Sequence, residues 1–132
     1  MCGIAGISIE KPNSRLQKKI LEMKNLLSHR GPDSSGEFHS SYVSLIHTRL
    51  SIIDLDGGNQ PIENNDMILV ANGEIYNDLE IRKTIKKYKY KTNSDSESIM
   101  AAYYEFGLSG LKKLRGMYAF ALYDKKTEQT IL

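Results

Sequence analysis

The chain has 132 residues, the size of one domain by the rough guide of about 150 residues each, and too short for a multidomain enzyme. A hydrophobic share of 40% with 26% charged residues excludes wholesale disorder, and a net charge of +2 is too balanced to announce a nucleic-acid binder. One cysteine excludes an intrachain disulfide framework and points to a reducing compartment.

The first ten residues are apolar at the outset but carry no basic leader, and Glu10, Lys11 and Pro12 end the run. They make a poor signal peptide, and no stretch approaches the ~18 apolar residues of a membrane span, so a cytoplasmic protein without a membrane partner is expected. Ile4, Ile7 and Ile9 predict a short strand. Ser14 with Gln17 has capping-box spacing, and Leu16, Ile20, Met23 and Leu27 recur at helical intervals until Gly31 and Pro32 stop the helix. Residues 42–53 predict two short strands or one bent one, followed by a loop over residues 54–59. Residues 67–71 form a compact apolar run suited to a strand buried on both faces.

Two further capping-box pairs, Asn77 with Glu80 and Ser94 with Glu97, predict helices. The first would present Ile81, Ile85 and Tyr88 on one face, and the second would run through Ile99, Tyr103 and Phe106 to Gly107. Residues 117–123 and 130–132 predict a hairpin around Asp124-Lys125-Lys126. The alternation of helices with pairs of strands predicts an α+β layer arrangement.

The residue with the sharpest chemical meaning is Cys2. Removal of Met1 would place a free α-amine on the residue that carries the thiol. An α-amine titrates near ~7.7–8 and a thiol near ~8.5, so the amine can take the thiol proton at neutral pH. The alternative is that Cys2 is a small buried hydrophobe, or pairs with His29, His39 or His47 as a dyad. His47 lies in an apolar run and reads as a structural histidine. No metal-ligand spacing is present, and Asp54-x-Asp56 fails as a calcium loop because its sixth and twelfth positions are Asn59 and Asn65.

Asn72 and Gly73 follow the buried strand, where a side-chain amide and a backbone N–H are suitable donors to an oxyanion; Asn-Gly is also a favoured turn pair. Arg49 sits among apolar residues and has the fork geometry to hold a carboxylate. Asp95 is suited to an ammonium group or to capping the next helix. The lysines of residues 86–91 read as a solvated helix end rather than a nucleic-acid patch, and no phosphate-binding glycine loop occurs.

Taken together, several segments resemble the class II glutamine amidotransferases, and most of all the glutaminase domain of glutamine-hydrolysing asparagine synthetases. They are Met1-Cys2-Gly3-Ile4-Ala5-Gly6, His29-Arg30-Gly31-Pro32-Asp33 with Gly36, Arg49-Leu50-Ser51-Ile52-Ile53-Asp54 and Gln60-Pro61. Asn72-Gly73-Glu74-Ile75-Tyr76-Asn77, Ser94-Asp95 with Glu97, and Arg115-Gly116-Met117-Tyr118-Ala119-Phe120-Ala121 continue them in the family's order. The resemblance implies an N-terminal-nucleophile hydrolase fold, a four-layer α/β/β/α sandwich. It also implies that Cys2 attacks the glutamine side-chain amide to give a thioester, with Asn72 and Gly73 forming the oxyanion hole. Arg49 would hold the α-carboxylate and Asp95 the α-amino group, with Leu50, Ser51, Ile52, Ile53 and Glu74 at other pocket positions.

Relatives continue with more strands and a synthetase domain that uses ATP and Mg to activate aspartate. Residues 1–132 are therefore expected to be the N-terminal portion of the glutaminase domain, incomplete at its C-terminus, with no cofactor of its own and no metal. Its partners would be L-glutamine and a synthetase domain in the same chain or in trans. The rival readings are a non-catalytic amino-acid-binding remnant, a glutaminase serving another amidotransferase, and a basic nucleic-acid module.

Overall fold

The computed structural model describes residues 2–9, 16–50 and 58–132. Along them run β1 (Gly3–Ser8), α1 (Leu16–Leu27), β2 (Ser34–His39), β3 (Val43–Arg49), β4 (Ile62–Asn64) and β5 (Met67–Ile75). The remaining elements are α2 (Asp78–Thr84), α3 (Glu97–Phe106), α4 (Leu108–Leu111), β6 (Gly116–Asp124) and β7 (Gln129–Ile131). The strands form two antiparallel sheets, ordered β1-β3-β2 and β4-β5-β6-β7.

Strand β5 explains the layering. Its residues 67–71 are apolar at both parities and buried, so over that stretch neither face meets water. Met67, Leu69, Ala71 and Ile75 pack on one side with Ile81 of α2 and Ile99 and Met100 of α3. Ile68 and Val70 pack on the other with Val43 and Leu45 of β3 and Tyr123 of β6. Strand β3 is buried along its whole length, and α1 covers its other face: Thr48 Oγ1 donates to the Leu27 carbonyl at 3.2 Å. The order is helix, sheet, sheet, helices, which is the four-layer sandwich expected. The apolar run of residues 67–71, the strand from residue 4 and the final hairpin all form as predicted.

Other elements differ for identifiable reasons. Strand β2 (Ser-Ser-Gly-Glu-Phe-His) offers a single large apolar residue and forms by pairing with β3, and β4 has only three residues. Neither has enough apolar alternation to be read locally. Helix α2 stops at Thr84 because Ile85 turns extended (φ −77, ψ 131), so Tyr88 enters the core from the following loop. The lysines of residues 86–91 accordingly lie in that loop rather than on a helix end. The capping boxes also give way to longer-range partners: Asn77 bridges the Lys113 carbonyl and the Arg115 N–H, and Ser94 makes no side-chain cap. Helix α4 had no sequence signal. The first capping serine, Ser14, and the loop residues 54–57 lie outside the described residues.

Both faces of β5 being load-carrying has a measurable consequence. Ile68→Ala, at a fully buried position between the sheets, is expected to cost about 2–5 kcal/mol in urea unfolding, against less than about 0.5 kcal/mol for Leu79→Ala at 73% exposure. Equal effects would contradict a dry layer between the sheets.

Candidate active site

A cleft of ≈ 530 Å³ opens where β1, β3 and β5 meet, and Cys2, Arg49, Asn72, Gly73 and Asp95 all line it. Cys2 lies one step beyond the Gly3↔Thr48 pair and, by the two-residue repeat of a strand, on the same side of the sheet as Ile4, facing the second sheet. Its Sγ is 3.9 Å from the Leu50 carbonyl, and its own carbonyl accepts a hydrogen bond from Arg30 Nε at 3.3 Å. Arg49, at the end of β3, is 6% exposed, and its guanidinium donates to Asn59 Oδ1 at 3.0 Å.

The end of β5 is shaped by what it lacks. Gly73 has φ +137, and a Cβ there would run into the Met117 carbonyl and the Tyr118 backbone of β6. Only glycine fits both the conformation and the space. On either side of it, the Ala71 N–H donates to Gln60 Oε1 and the Ile75 N–H to Asp95 Oδ2, each at 2.5 Å. N–H groups two apart on a strand point to the same edge, so the Gly73 amide faces this edge too, toward the cleft.

Asp95 sits on a loop fixed from two sides. Glu97, fully buried, accepts from the Tyr88 hydroxyl, the Lys91 and Thr92 backbone N–H groups and the Thr92 hydroxyl, at 2.6–2.9 Å. Burial alone would raise its pKa, but these donors outweigh burial and hold it below the usual carboxylate value. Burial, and then the bond to Glu97, push the Tyr88 hydroxyl in the opposite direction, upward. Arg82 of α2 donates to the Ser94 carbonyl at 2.9 Å while paired with Asp78.

The whole chain, residues 1–132, matches the glutamine amidotransferase domain model. The chain belongs to the glutamine amidotransferase domain family. It is 43% identical to asparagine synthetase B [glutamine-hydrolyzing] of Escherichia coli over 136 residues, covering 100% of this chain and 24% of that protein. To asparagine synthetase [glutamine-hydrolyzing] 1 of Bacillus subtilis it is 39% identical, covering 95% of this chain and 21% of the relative. The chain thus spans less than a quarter of the length of these relatives. Among solved structures, the glutamine phosphoribosylpyrophosphate amidotransferase of B. subtilis shares the fold, with a TM-score of 0.68 at 17% identity, covering 95% of this chain and 35% of that one.

In this amidotransferase domain, Cys2, Arg49, Leu50, Asn72, Gly73, Glu74 and Asp95 all line one cleft. Ser51, Ile52 and Ile53 lie outside the described residues. Asp95 does not cap α3, because its Oδ2 is taken by β5. Arg30 and Gln60 were missed as site residues although both lie in quoted motifs, since their contacts are with backbone far away in sequence. No described group of three or more His, Cys, Asp or Glu is arranged to hold a metal ion, and no described helix is long and apolar enough to cross a membrane.

Of the three histidines, His29 is exposed and bonded to the Leu26 carbonyl, and His39 faces Glu37 and Ser44. His47 lines the cleft at 1% exposure, its Nε2 without a partner. Burial and then the neighbouring Arg49 lower its pKa to about 4, against a hydrogen bond to the Ala71 backbone that raises it. The unfolded chain takes up this proton near pH ~6.5 and the folded chain only near pH 4, so stability from the neutral ring is complete above pH 6.5 and lost as pH falls. Between pH ~6.5 and ~4.5 the amidotransferase domain is expected to lose about 2–3 kcal/mol more in urea unfolding than its His47→Gln variant. Parallel pH profiles for the two proteins would contradict a buried neutral His47.

Proposed function

We propose that the cleft hydrolyses the side-chain amide of glutamine. The observation that carries the reading is convergence: a thiol, a guanidinium, an outward glycine amide and a carboxylate from four separate segments line one cavity. An α-amino acid needs a cation for its carboxylate and an anion for its ammonium, and attack on its amide needs donors for an oxyanion.

In this reading Met1 is removed and the Cys2 α-amine takes the thiol proton as sulfur attacks the amide carbon. The Gly73 N–H and the Asn72 side-chain amide receive the developing oxyanion. The tetrahedral intermediate collapses by breaking the carbon–nitrogen bond, the proton passes from the amine to the leaving nitrogen, and ammonia departs. A γ-glutamyl thioester remains on Cys2, which water cleaves to glutamate and free thiol. Arg49 holds the substrate carboxylate and Asp95 its ammonium, while Leu50 and Glu74 form walls. Ser51, Ile52 and Ile53 join the pocket by their place in the family's motif.

The relatives' names, asparagine synthetase [glutamine-hydrolyzing], support an asparagine-forming synthetase as the acceptor of the ammonia. That this synthetase converts aspartate with ATP and Mg, in the same chain or in trans, is part of the proposal.

Cys2→Ala is expected to abolish glutamate release while glutamine still binds, and Asn72→Ala to lower kcat by about 10²–10³. Arg49→Lys, which loses the planar fork, should raise KM at least about tenfold with little change in kcat. Intact-mass measurement of active protein should find Met1 absent. Turnover by Cys2→Ala, or full activity with Met1 retained, would overturn the reading.

A further inference from the structure

We propose that Gln60 is a positioning residue for the oxyanion corner: with Asp95 it brackets the Gly73 amide by occupying the N–H groups on both sides of it. This rests on the glutaminase reading above.

The bracket follows from where β4 stops. Strand β4 pairs Ile62 with Leu69 on the outer edge of β5. One step further lies Pro61, opposite Val70, whose N–H faces β6, and the next step sets Gln60 beside Ala71. Strand β4 begins only at Ile62, so the β5 edge from Ala71 onward is left to side chains. The Gln60 amide oxygen takes the Ala71 N–H, and the Asp95 carboxylate takes the Ile75 N–H. An N–H donor requires the oxygen of the Gln60 amide, which sets that amide's orientation.

Both acceptors are themselves held. The Gln60 backbone carbonyl comes so close to Gly36 of β2 that any side chain there would displace it. Asp95 is fixed through Glu97 and Arg82. Gly73 lies midway between these fixed points, with a backbone conformation that an unanchored glycine would leave easily. Gln60 also lines the cleft, yet its polar oxygen is committed to β5 rather than to a ligand. Its action is therefore on the transition state through the corner rather than on ground-state binding.

The test combines glutamine kinetics with backbone amide hydrogen exchange on the unliganded chain. Gln60→Met keeps the length and removes the acceptor. It should lower kcat at least about tenfold with KM changed less than about threefold, and should speed exchange at Ala71, whose N–H loses its acceptor, at least about tenfold. Gln60→Glu keeps an oxygen at the same reach and should recover kcat to within about threefold of wild type and return the exchange toward it. The proposal is overturned by wild-type kcat in Gln60→Met, by a loss confined to KM, or by unchanged exchange at Ala71. A Gln60→Glu variant that folds but turns over as slowly as Gln60→Met overturns it as well, and decides the matter if Gln60→Met does not fold. Absence of glutamine turnover in the wild type defeats the glutaminase reading instead, and the exchange measurement then still decides the bracket.

Discussion

A backbone N–H that is buried without an acceptor is costly, and a strand covered on both faces can meet that requirement only along its edges. In this chain one edge of β5 is met by β6 along its whole length, but the other is met by β4 for only three residues. Beyond Leu69 the outer edge needs other acceptors. Gln60 and Asp95 supply two of them, from loops that precede β4 and α3. The amide between them faces the cleft that Cys2 lines. The incomplete pairing of one strand is thus what opens a place for chemistry in an otherwise close-packed sandwich.

The same constraint explains where the chain places its buried charges. Glu97 is fully buried two residues after Asp95, and a carboxylate in that position is tolerable only with several donors. It receives them from Tyr88, Lys91 and Thr92, whose loop it thereby ties to α3. Arg82 secures the adjoining carbonyls. On the opposite wall Arg49 is nearly buried, and the neighbouring His47 stays neutral beside it. A protonated His47 would add a second positive charge to a site already holding a guanidinium. The proposed binding of a zwitterion uses the two walls together, with the nucleophile between them.

Much of this was legible in the sequence, and the divide between what was and was not has a physical basis. The double-sided apolar run of β5, the α1 periodicity and the final hairpin are local signals strong enough to survive folding. Cys2, Arg49, Asn72-Gly73 and Asp95 each allow an ordinary structural reading where they stand, and it is the resemblance of the ordered motifs that singles them out, with Leu50 and Glu74 named from that resemblance alone. Strands β2 and β4 were not legible, since they gain their order from partners rather than from their own pattern. Asn77 and Ser94 marked real helix starts, Asn77 standing at the N-cap of α2 and α3 beginning at Glu97, although neither side chain caps its helix. Their local capping signal was real, but Asn77 found partners 36 and 38 residues away. Gln60 and Arg30 have roles that depend entirely on distant backbone, which no spacing rule reports.

The most direct measurement is the structure of the chain, with Met1 removed, bound to a glutamine analogue whose side-chain amide is replaced by an electrophilic ketone. The expected result is a bond from Cys2 Sγ to the former carbonyl carbon, with its oxygen about 2.7–3.1 Å from the Gly73 nitrogen and the Asn72 side-chain amide. The analogue's carboxylate should lie on Arg49 and its ammonium on Asp95. An adduct whose oxygen turns to solvent, or whose two charges miss Arg49 and Asp95, would contradict the account.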